Sequence, residues 1–424
     1  MVRLAFLVLI IGASCSPRPY RSITQSEIFS QNHTGFYLFD PLNEKVLIDV
    51  NGSKYFTPAS NTKIFTFYTS LLMLGDSLPG LHYVETGDSL IVWGTGDPSF
   101  LNPDLPESKV FDFLRFSEKQ LFVSVENFYD TPFGAGWAWD DYNYEYQPEK
   151  SPLPVYGNMI QIKGDKDSMI IIPPFFEKMM VPEQKESTYF KRDLHSNLIY
   201  YYVTETATLD RKIPFLTSHK LLVDMLEDTL SRSVVLINKK LPSDAGTIYS
   251  VPSDSVYKRM MQVSDNFIAE QLMLMNGGGG GGLLNDSLNT EQSINYSRDS
   301  LLSDLPDPLI WRDGSGLSRY NLFTPRTIVA LWGKIAELVP KDRLYQLIAE
   351  GGVSGTIENW YRAESPYIYG KTGTLSNNHC LSGFIETKSG KTLIFSFMNN
   401  NYRYGSGTIK VEMERILREI YEKY

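Results

Sequence analysis

The chain has 424 residues, 42% of them hydrophobic, and its 49 acidic residues outnumber its 40 lysines and arginines, giving a formal net charge of −9. This length and composition allow a large buried core and predict roughly two to three domains. The acidic balance argues against a nucleic-acid partner. Two cysteines and five scattered histidines form no metal-binding pattern, so we expect neither a metal nor a cofactor.

The N-terminus has the features of an export signal. A basic residue is followed by an apolar run over residues 4–11 and by small residues before Cys15; the run is too short to cross a bilayer. Cys15 resembles the lipidated cysteine of bacterial lipoprotein signals, although Gly12 replaces the usual aliphatic residue. We predict a signal peptide over residues 1–15, lipidation at Cys15 and a tether over residues 16–25. Secretion without a lipid anchor is the alternative.

A β-hairpin followed by a helix is predicted near the N-terminus. Residues 36–40 and 46–50 are short runs of strand-forming residues on either side of a turn at residues 41–45. The helix begins near Ser60 and continues to about Leu74, where Gly75 follows.

The middle of the chain has a different sequence pattern. Residues 86–245 contain short β-like runs separated by turn residues, which predicts an inserted, mainly β domain that could hold a nested subdomain. Residues 26–85 and 246–424 then form the domain that it interrupts. The glycine run at residues 277–282 predicts a flexible loop.

Strands and a helix are also predicted at the C-terminal end. Residues 367–374 form a strand, and residues 383–387 and 392–398 form a second hairpin. We expect the N-terminal and C-terminal strands to join one antiparallel sheet flanked by helices, an α+β fold. Residues 407–424 have helical periodicity. The apolar stripe of this helix is expected to contain Ile409, Val411, Met413, Ile416, Leu417 and Ile420.

The first motif with a chemical meaning is Ser60 and Lys63. Three residues apart on a helix, both side chains lie on one face, where a neutral lysine can take the serine proton during attack on a carbonyl. The helix N-terminus adds positive potential near the forming oxyanion. Alone the spacing is weak evidence, because Ser255 and Lys258 share it and most such pairs lie on solvated helices.

Two further motifs follow in order along the chain. Ser264 and Asn266 precede a helix, where such residues are commonly only caps. Lys371 offers a cation for a carboxylate, Thr372 a hydroxyl, and Gly373 close approach of a substrate backbone, although an exposed edge strand would explain them as well. The ordered set S-x-x-K, S-D-N and K-T-G is far more specific than any member.

With these motifs the chain resembles the serine penicillin-recognising enzymes. More narrowly, it is similar to the D-alanyl-D-alanine carboxypeptidase/endopeptidase family, the low-molecular-mass class C penicillin-binding proteins with a large insertion after the first motif. The resemblance implies a β-lactamase/penicillin-binding-protein-like transpeptidase domain with an inserted, mainly β domain. It covers nearly all of the mature chain, departing at residues 377–380 and at the glycine run. The matching segments are residues 58–63, 94–98, 136–141, 263–270, 313–321 and 371–376.

The resemblance implies catalytic roles for four residues. Ser60 would be acylated, and Lys63 would be the general base. Ser264 would relay a proton to the leaving D-alanine nitrogen. Asn266 would bind the substrate amide and orient Lys63.

The resemblance also implies substrate-binding roles on the K-T-G strand. Lys371 and Thr372 would hold the terminal carboxylate, and Gly373 would let the substrate backbone approach closely. The backbone N–H groups of Ser60 and Thr374 would form the oxyanion hole.

The function implied is that of a periplasmic, lipid-anchored serine D,D-peptidase acting on peptidoglycan stem peptides. It would cleave terminal D-Ala-D-Ala, D-Ala–diamino-acid cross-links, or both, and β-lactams would inhibit it covalently. One alternative is a β-lactamase or esterase, although no acidic residue is evidently placed to activate a deacylating water. Another is an inactive cell-wall-binding scaffold, which the intact motifs disfavour.

A few other residues receive structural interpretations. Trp137 and Trp139 are expected in the core of the inserted domain, and His379 is expected to be a structural histidine. The loop behind the site should be held by Asp313, Arg319 and Asn321.

Overall fold

The computed structural model describes residues 18–278 and 287–424, in which the chain forms ten α-helices and seventeen β-strands. The predicted signal peptide with Cys15, and most of the glycine run, lie outside these ranges. The helices are α1 Arg18–Thr24, α2 Lys63–Met73, α3 Lys109–Phe116, α4 His219–Leu230, α5 Ser253–Gln262, α6 Asn266–Gly278, α7 Thr290–Tyr296, α8 Pro325–Leu338, α9 Lys341–Leu347 and α10 Ser406–Lys423.

The strands belong to four sheets. They are β1 His33–Asp40, β2 Lys45–Val50, β3 Ser77–Thr86, β4 Ser89–Gly94, β5 Gln120–Ser124, β6 Met159–Gly164, β7 Ile170–Ile172, β8 Met180–Pro182, β9 Tyr189–Arg192, β10 Ile199–Tyr202, β11 Leu209–Pro214, β12 Val234–Leu236, β13 Gly246–Pro252, β14 Ala349–Glu350, β15 Ile368–Leu375, β16 Asn378–Glu386 and β17 Thr392–Asn400.

The largest sheet joins the two ends of the chain, as predicted. Its order is β14-β15-β16-β17-β1-β2, and all its neighbouring strands are antiparallel. Strand β16 is buried on both faces: Cys380 and Phe384 point into a core shared with α2, α5, α6 and α8, whereas Leu381 and Ile385 point into a second core shared with α10. Helical layers therefore cover both faces of this sheet.

Helix α10 covers one face of the sheet through a narrower stripe than the sequence predicts. Ile409, Met413, Leu417 and Ile420 are buried, but Val411 is 60% exposed. Its inclusion in the stripe was wrong, because two residues along a helix rotate a side chain by about 200° from Ile409, to the opposite face.

Helix α1 replaces part of the predicted tether. Ile23 is buried against the α10 side of the sheet. The hydroxyl of Ser22 donates to Glu419 Oε2 at 2.7 Å, and that of Ser26 donates to Glu412 Oε1 at 2.7 Å. Residues 18–25 thus pack and hydrogen-bond against α10, and the tether prediction fails over this stretch.

The inserted part contains three sheets around its own core. One is a mixed sheet of order β12-β5-β4-β3-β13, and the others have the orders β11-β6-β7 and β8-β10-β9. Helices α3 and α4 pack on the same core through Val110, Leu114, Leu221, Met225 and Leu226.

The inserted sheet extends beyond the predicted boundaries at residues 86 and 245. Strands β3 and β13, which the sequence assigned to the flanking domain, pair with each other, and β3 also pairs with β4. Along β3, Leu78 packs in the core of the flanking domain and Leu81 in that of the insert. The strand therefore runs from one core into the other, which local composition does not reveal.

Residues 18–278 and 287–424 offer neither a membrane span nor a metal site. None of the helices in these ranges has the length and apolar composition needed to cross a membrane. No group of three or more His, Cys, Asp or Glu side chains there could hold a metal ion.

Candidate active site

Ser60 lies in a tightly packed turn where the chain enters α2. Residues Ala59–Thr62 form one 3₁₀ turn that continues directly into the helix, and Ala59 has a positive φ of 48°. The backbone of β15 passes so close that a Cβ added to Gly373 would lie 2.8 Å from the Ser60 nitrogen and 2.6 Å from the Pro58 carbonyl oxygen. The strained turn is therefore fixed by contact with a glycine of the third motif.

The ammonium group of Lys63 is at the centre of the site. It is fully buried and donates to Ser60 Oγ at 2.9 Å, to Asn266 Oδ1 at 2.6 Å and to the Ser315 carbonyl oxygen at 2.7 Å. Burial lowers the pKa of Lys63 to about 8, against the opposing effect of nearby carboxylates, the largest from Asp313. Lys63 can therefore lose its proton near neutral pH while remaining in contact with the serine.

Ser264 and Lys371 form the second pair of contacts. Ser264 occupies the turn between α5 and α6 with a φ of 67°, and its hydroxyl accepts from Lys371 Nζ at 2.8 Å. Lys371 is fully buried on β15 and also donates to the Thr372 carbonyl oxygen at 2.7 Å. Burial, together with the charge of Lys63, lowers the pKa of Lys371 well below its ordinary value.

Thr372 of the third motif and Thr374, two residues further along β15, contact different partners. The hydroxyl of Thr372 lies 2.6 Å from that of Thr356. The hydroxyl of Thr374 lies 2.8 Å from His379 Nδ1. His379 is buried, and burial lowers its pKa to about 3, so it is neutral and supports Thr374, as expected of a structural histidine.

Ser60, Ser264, Asn266 and Thr374 line one open cleft of about 830 Å³. The structure thus brings together the serine and lysine of the first motif, the serine and amide of the second and the strand of the third. The amide Nδ2 of Asn266 donates to the Tyr146 carbonyl oxygen at 2.9 Å, which fixes its Oδ1 towards Lys63.

The segment that contains the two tryptophans borders this cleft, so their assignment to the core of the insert was wrong. Trp139 is 77% exposed, and the half-buried Trp137 donates its indole N–H to Asp313 Oδ2 at 2.9 Å. Asp140 and Asp141, which follow Trp139, line the cleft. A large aromatic side chain predicts burial only on average, and here the segment forms the rim of a site.

The loop behind the site is held by Asp313, as predicted. Its carboxylate accepts from the backbone N–H of Gly316 at 2.9 Å and of Ser318 at 2.6 Å, and from Asn321 Nδ2 at 2.7 Å. Arg319 extends from the loop and donates to the Ser376 carbonyl oxygen at 3.2 Å. The loop is thereby tied to the end of β15.

Sequence reasoning missed the part played by Glu270. This buried carboxylate accepts from the backbone N–H groups of Gly314 at 3.1 Å and Ser315 at 2.7 Å, so it holds the backbone of Ser315, the residue whose carbonyl oxygen accepts from Lys63. Burial raises the pKa of Glu270 to about 7. Its signal in the sequence was a lone carboxylate within the apolar helix α6.

Asn61 was also missed, because nothing in the sequence sets it apart from its neighbours in the first motif. Its Nδ2 donates to the Lys371 carbonyl oxygen at 3.1 Å, and its Oδ1 accepts from Ser382 Oγ at 2.6 Å. The side chain thus joins the turn that carries Ser60 to strands β15 and β16.

Comparisons with known proteins agree with this geometry. The family model for the D-Ala-D-Ala carboxypeptidase 3 (S13) family matches residues 21–188 and 219–420. Among curated proteins, D-alanyl-D-alanine carboxypeptidase DacB of Haemophilus influenzae is 24% identical, with 98% of this chain and 96% of the relative covered.

Solved structures show the same fold. The crystal structure of penicillin binding protein 4 (dacB) from Haemophilus influenzae has a TM-score of 0.76 at 19% identity, covering 95% of this chain and 98% of that one. The penicillin G acylated predatory endopeptidase Bd3459 from Bdellovibrio bacteriovorus, solved with an immunity protein, has a TM-score of 0.52 at 14% identity, with coverages of 91% and 90%.

Proposed function

The chain belongs to the D-Ala-D-Ala carboxypeptidase 3 (S13) family and is a serine D,D-peptidase; from this premise we propose that Ser60 is its nucleophile and that it acts through an acyl-enzyme. The observation that carries the proposal is the contact of the buried Lys63 Nζ with Ser60 Oγ at 2.9 Å. Burial lowers the pKa of Lys63 to about 8, which makes its neutral form available as a general base.

The chemical steps follow from the order of these contacts. Neutral Lys63 takes the proton of Ser60 as the hydroxyl oxygen bonds to the carbonyl carbon of the penultimate D-alanine. The bond from that carbon to the leaving nitrogen then breaks, and Ser264 relays to the nitrogen the proton that Lys63 took from Ser60, which returns Lys63 to its neutral form. Water hydrolyses the resulting ester and restores the Ser60 hydroxyl.

Lys371 and Thr372 are proposed to hold the carboxylate of the leaving residue. Lys371 already donates to Ser264, so a carboxylate bound there would place the leaving nitrogen beside that hydroxyl. A bound anion also favours the charged form of a lysine whose pKa burial has lowered. The backbone N–H groups of Ser60 and Thr374, both on the cleft, are the proposed oxyanion hole.

The substrates are proposed to be peptidoglycan stem peptides, cleaved at terminal D-Ala-D-Ala, at D-Ala–diamino-acid cross-links, or at both. β-Lactams are proposed to acylate Ser60, since they carry a carboxylate and a reactive carbonyl in the arrangement of D-Ala-D-Ala. The Bdellovibrio protein of the same fold is an endopeptidase that penicillin G acylates, and this supports the pairing of substrate and inhibitor.

The experiment that tests this function follows D-alanine release from an N-acylated peptide that ends in D-Ala-D-Ala. The wild-type protein should release D-alanine, and Ser60→Ala should not. Ser255→Ala is the matched control, because Ser255 has the same spacing to a lysine but lies on α5 with its hydroxyl donating to the Pro252 carbonyl oxygen. Activity lost in Ser255→Ala and retained in Ser60→Ala would overturn the assignment.

Peptidoglycan lies outside the cytoplasm, and we propose the periplasm, with a lipid anchor on Cys15, as the place where the enzyme acts. The support is the sequence of residues 1–15, a short apolar run that ends in small residues and a cysteine. Mass spectrometry of the mature protein from membranes should find Cys15 as an acylated first residue. An unmodified N-terminus at another position would contradict the anchor and leave the peptidase assignment intact.

A further inference from the structure

A second cavity, of about 360 Å³, lies beside the second motif. Ser264 and Asn266 line both this cavity and the cleft described above, but Ser60 lines only the cleft. We call it the Gln161 cavity, after a residue of the inserted part that contributes to its wall. Its position puts Ser264 between two separate spaces.

One wall of the Gln161 cavity is a face of the sheet β11-β6-β7. Lys212, Gln161 and Ile172 are register partners on these three adjacent strands, so their side chains project from the same face, and all three line the cavity. Met159, two residues before Gln161 on β6, lies on this face and lines it too. The insert therefore presents an ordered surface to the segment that carries Ser264.

Ion pairs join this wall to the opposite one. Asp104 bridges Lys212 of the insert to Arg259 of α5, and Arg259 Nη2 lies 2.7 Å from Asp104 Oδ2. Arg259 Nε in turn lies 3.1 Å from the carboxylate of Asp265, the residue between Ser264 and Asn266. The geometry of the cavity is thus coupled to the position of the second motif.

Gln161 supplies a hydrogen-bonding group that the protein itself leaves unused. The side chain is only 7% exposed, and among the residues that the structure describes nothing donates to its Oε1. Buried polar atoms are satisfied in the great majority of cases, and an unmade bond costs stability. Glu145, exposed at the same cavity, adds a second, anionic acceptor. Together they suit a ligand that carries N–H donors.

We propose that the Gln161 cavity binds the peptide attached to the leaving nitrogen of a cross-linked substrate. This inference rests on the proposed function, in which Ser264 protonates that nitrogen, so atoms bonded to the nitrogen must lie next to Ser264. A leaving D-alanine ends at its carboxylate and needs no further space. A leaving diamino acid continues into a peptide, whose amide N–H groups match Gln161 and Glu145.

The test compares two synthetic substrates that share the acyl part and differ in the leaving group. One releases D-alanine, and the other releases a diamino acid that carries a peptide; kcat/KM is measured for both by chromatography of the products. The variants are Gln161→Leu and Glu145→Lys. Gln184→Leu and Glu186→Lys, exposed in the insert away from the cavity, are matched controls. Because Glu145 is exposed, its variant keeps the test valid if Gln161→Leu does not fold.

Each cavity variant should lower kcat/KM for the extended substrate by about tenfold, the effect expected for one lost hydrogen bond or reversed charge. The same variants should change kcat/KM for the D-alanine substrate by less than about twofold. Equal losses on both substrates, or no loss, would overturn the proposal. So would a wild-type protein that cleaves only the D-alanine substrate. A wild-type protein that cleaves neither would overturn the proposed function itself, and this inference with it.

Discussion

The ammonium of Lys371 donates to the hydroxyl of Ser264 across 2.8 Å, although the two residues lie on β15 and in the α5–α6 turn. Both lysines of the site are buried, and the charge of Lys63 helps to lower the pKa of Lys371. The second and third motifs therefore meet at the point where the leaving group is proposed to depart. The site has two lysines, one beside the proposed nucleophile and one beside the proposed proton relay.

The first prediction concerns pH. Lys63 acts as a base only when it is deprotonated, so acylation should rise with pH and level off above the pKa of about 8. Below that value the rate should fall by about tenfold per pH unit. The rate of acylation by benzylpenicillin, measured by stopped flow between pH 5 and pH 10, checks this. A rate that falls as pH rises through 8 would exclude Lys63 as the base.

A second prediction tests Glu270 as a positioning residue. At pH above its own pKa of about 7 it is anionic and raises the pKa of Lys63, so Glu270→Gln should move the midpoint of the acylation profile to lower pH. The plateau rate should also fall. Each of the two Glu270 oxygens accepts from one backbone N–H, of Gly314 or of Ser315, and the single side-chain oxygen of glutamine cannot replace both. Glu291→Gln, exposed on α7, is the control. A lower plateau without a shifted midpoint would indicate a purely structural role.

A third prediction concerns the contact between Gly373 and the nucleophile turn. In Gly373→Ala the new Cβ would lie 2.6 Å from the Pro58 carbonyl oxygen and 2.8 Å from the Ser60 nitrogen, so the turn or β15 must shift. A displacement of this kind should slow acylation by about 100-fold while circular dichroism stays unchanged. Gly333→Ala on α8, where an added Cβ meets nothing within 4 Å, should keep full activity. Normal acylation by Gly373→Ala would show that the turn tolerates movement.

A fourth prediction separates the two faces of α10. Leu417→Ala removes a fully buried side chain and should lower the free energy of unfolding by about 2–5 kcal/mol. Val411→Ala, on the exposed face of the same helix, should change it by less than about 0.5 kcal/mol. Urea denaturation of both variants measures the difference. Similar losses in the two would mean that α10 packs through a different stripe.

The sequence predicted those parts of the fold in which local pattern and tertiary environment agree. The hairpin β1–β2, the strand β15 and most of the α10 stripe lie where runs of strand-forming residues or helical periodicity predicted them. Val411 and Trp139 are exposed because apolar character alone does not say which face of an element meets the core. The ends of the inserted sheet were missed because the pairing of β3 with β13 joins residues far apart in the chain.

The same distinction holds for the site. Motif residues were recognisable because their types and order are specific, and the contacts of Lys63 and Lys371 bring them together. Glu270 and Asn61 act through backbone groups of Ser315 and Lys371, and contacts of this kind leave no signature in spacing. The Gln161 cavity depends on the packing of the insert against α5 and α6, which the sequence does not specify locally.

Ser60 is proposed as the nucleophile of a D,D-peptidase that deacylates slowly after reaction with a β-lactam. The most direct measurement is mass spectrometry of the full-length mature protein after incubation with benzylpenicillin, with the adduct mapped by peptide digestion. We expect one stable adduct on Ser60, absent from Ser60→Ala and present in Ser255→Ala. An adduct on another residue would contradict the assignment of the nucleophile. Consumption of the drug without an adduct would indicate a β-lactamase, and intact drug without an adduct would indicate an inactive wall-binding scaffold.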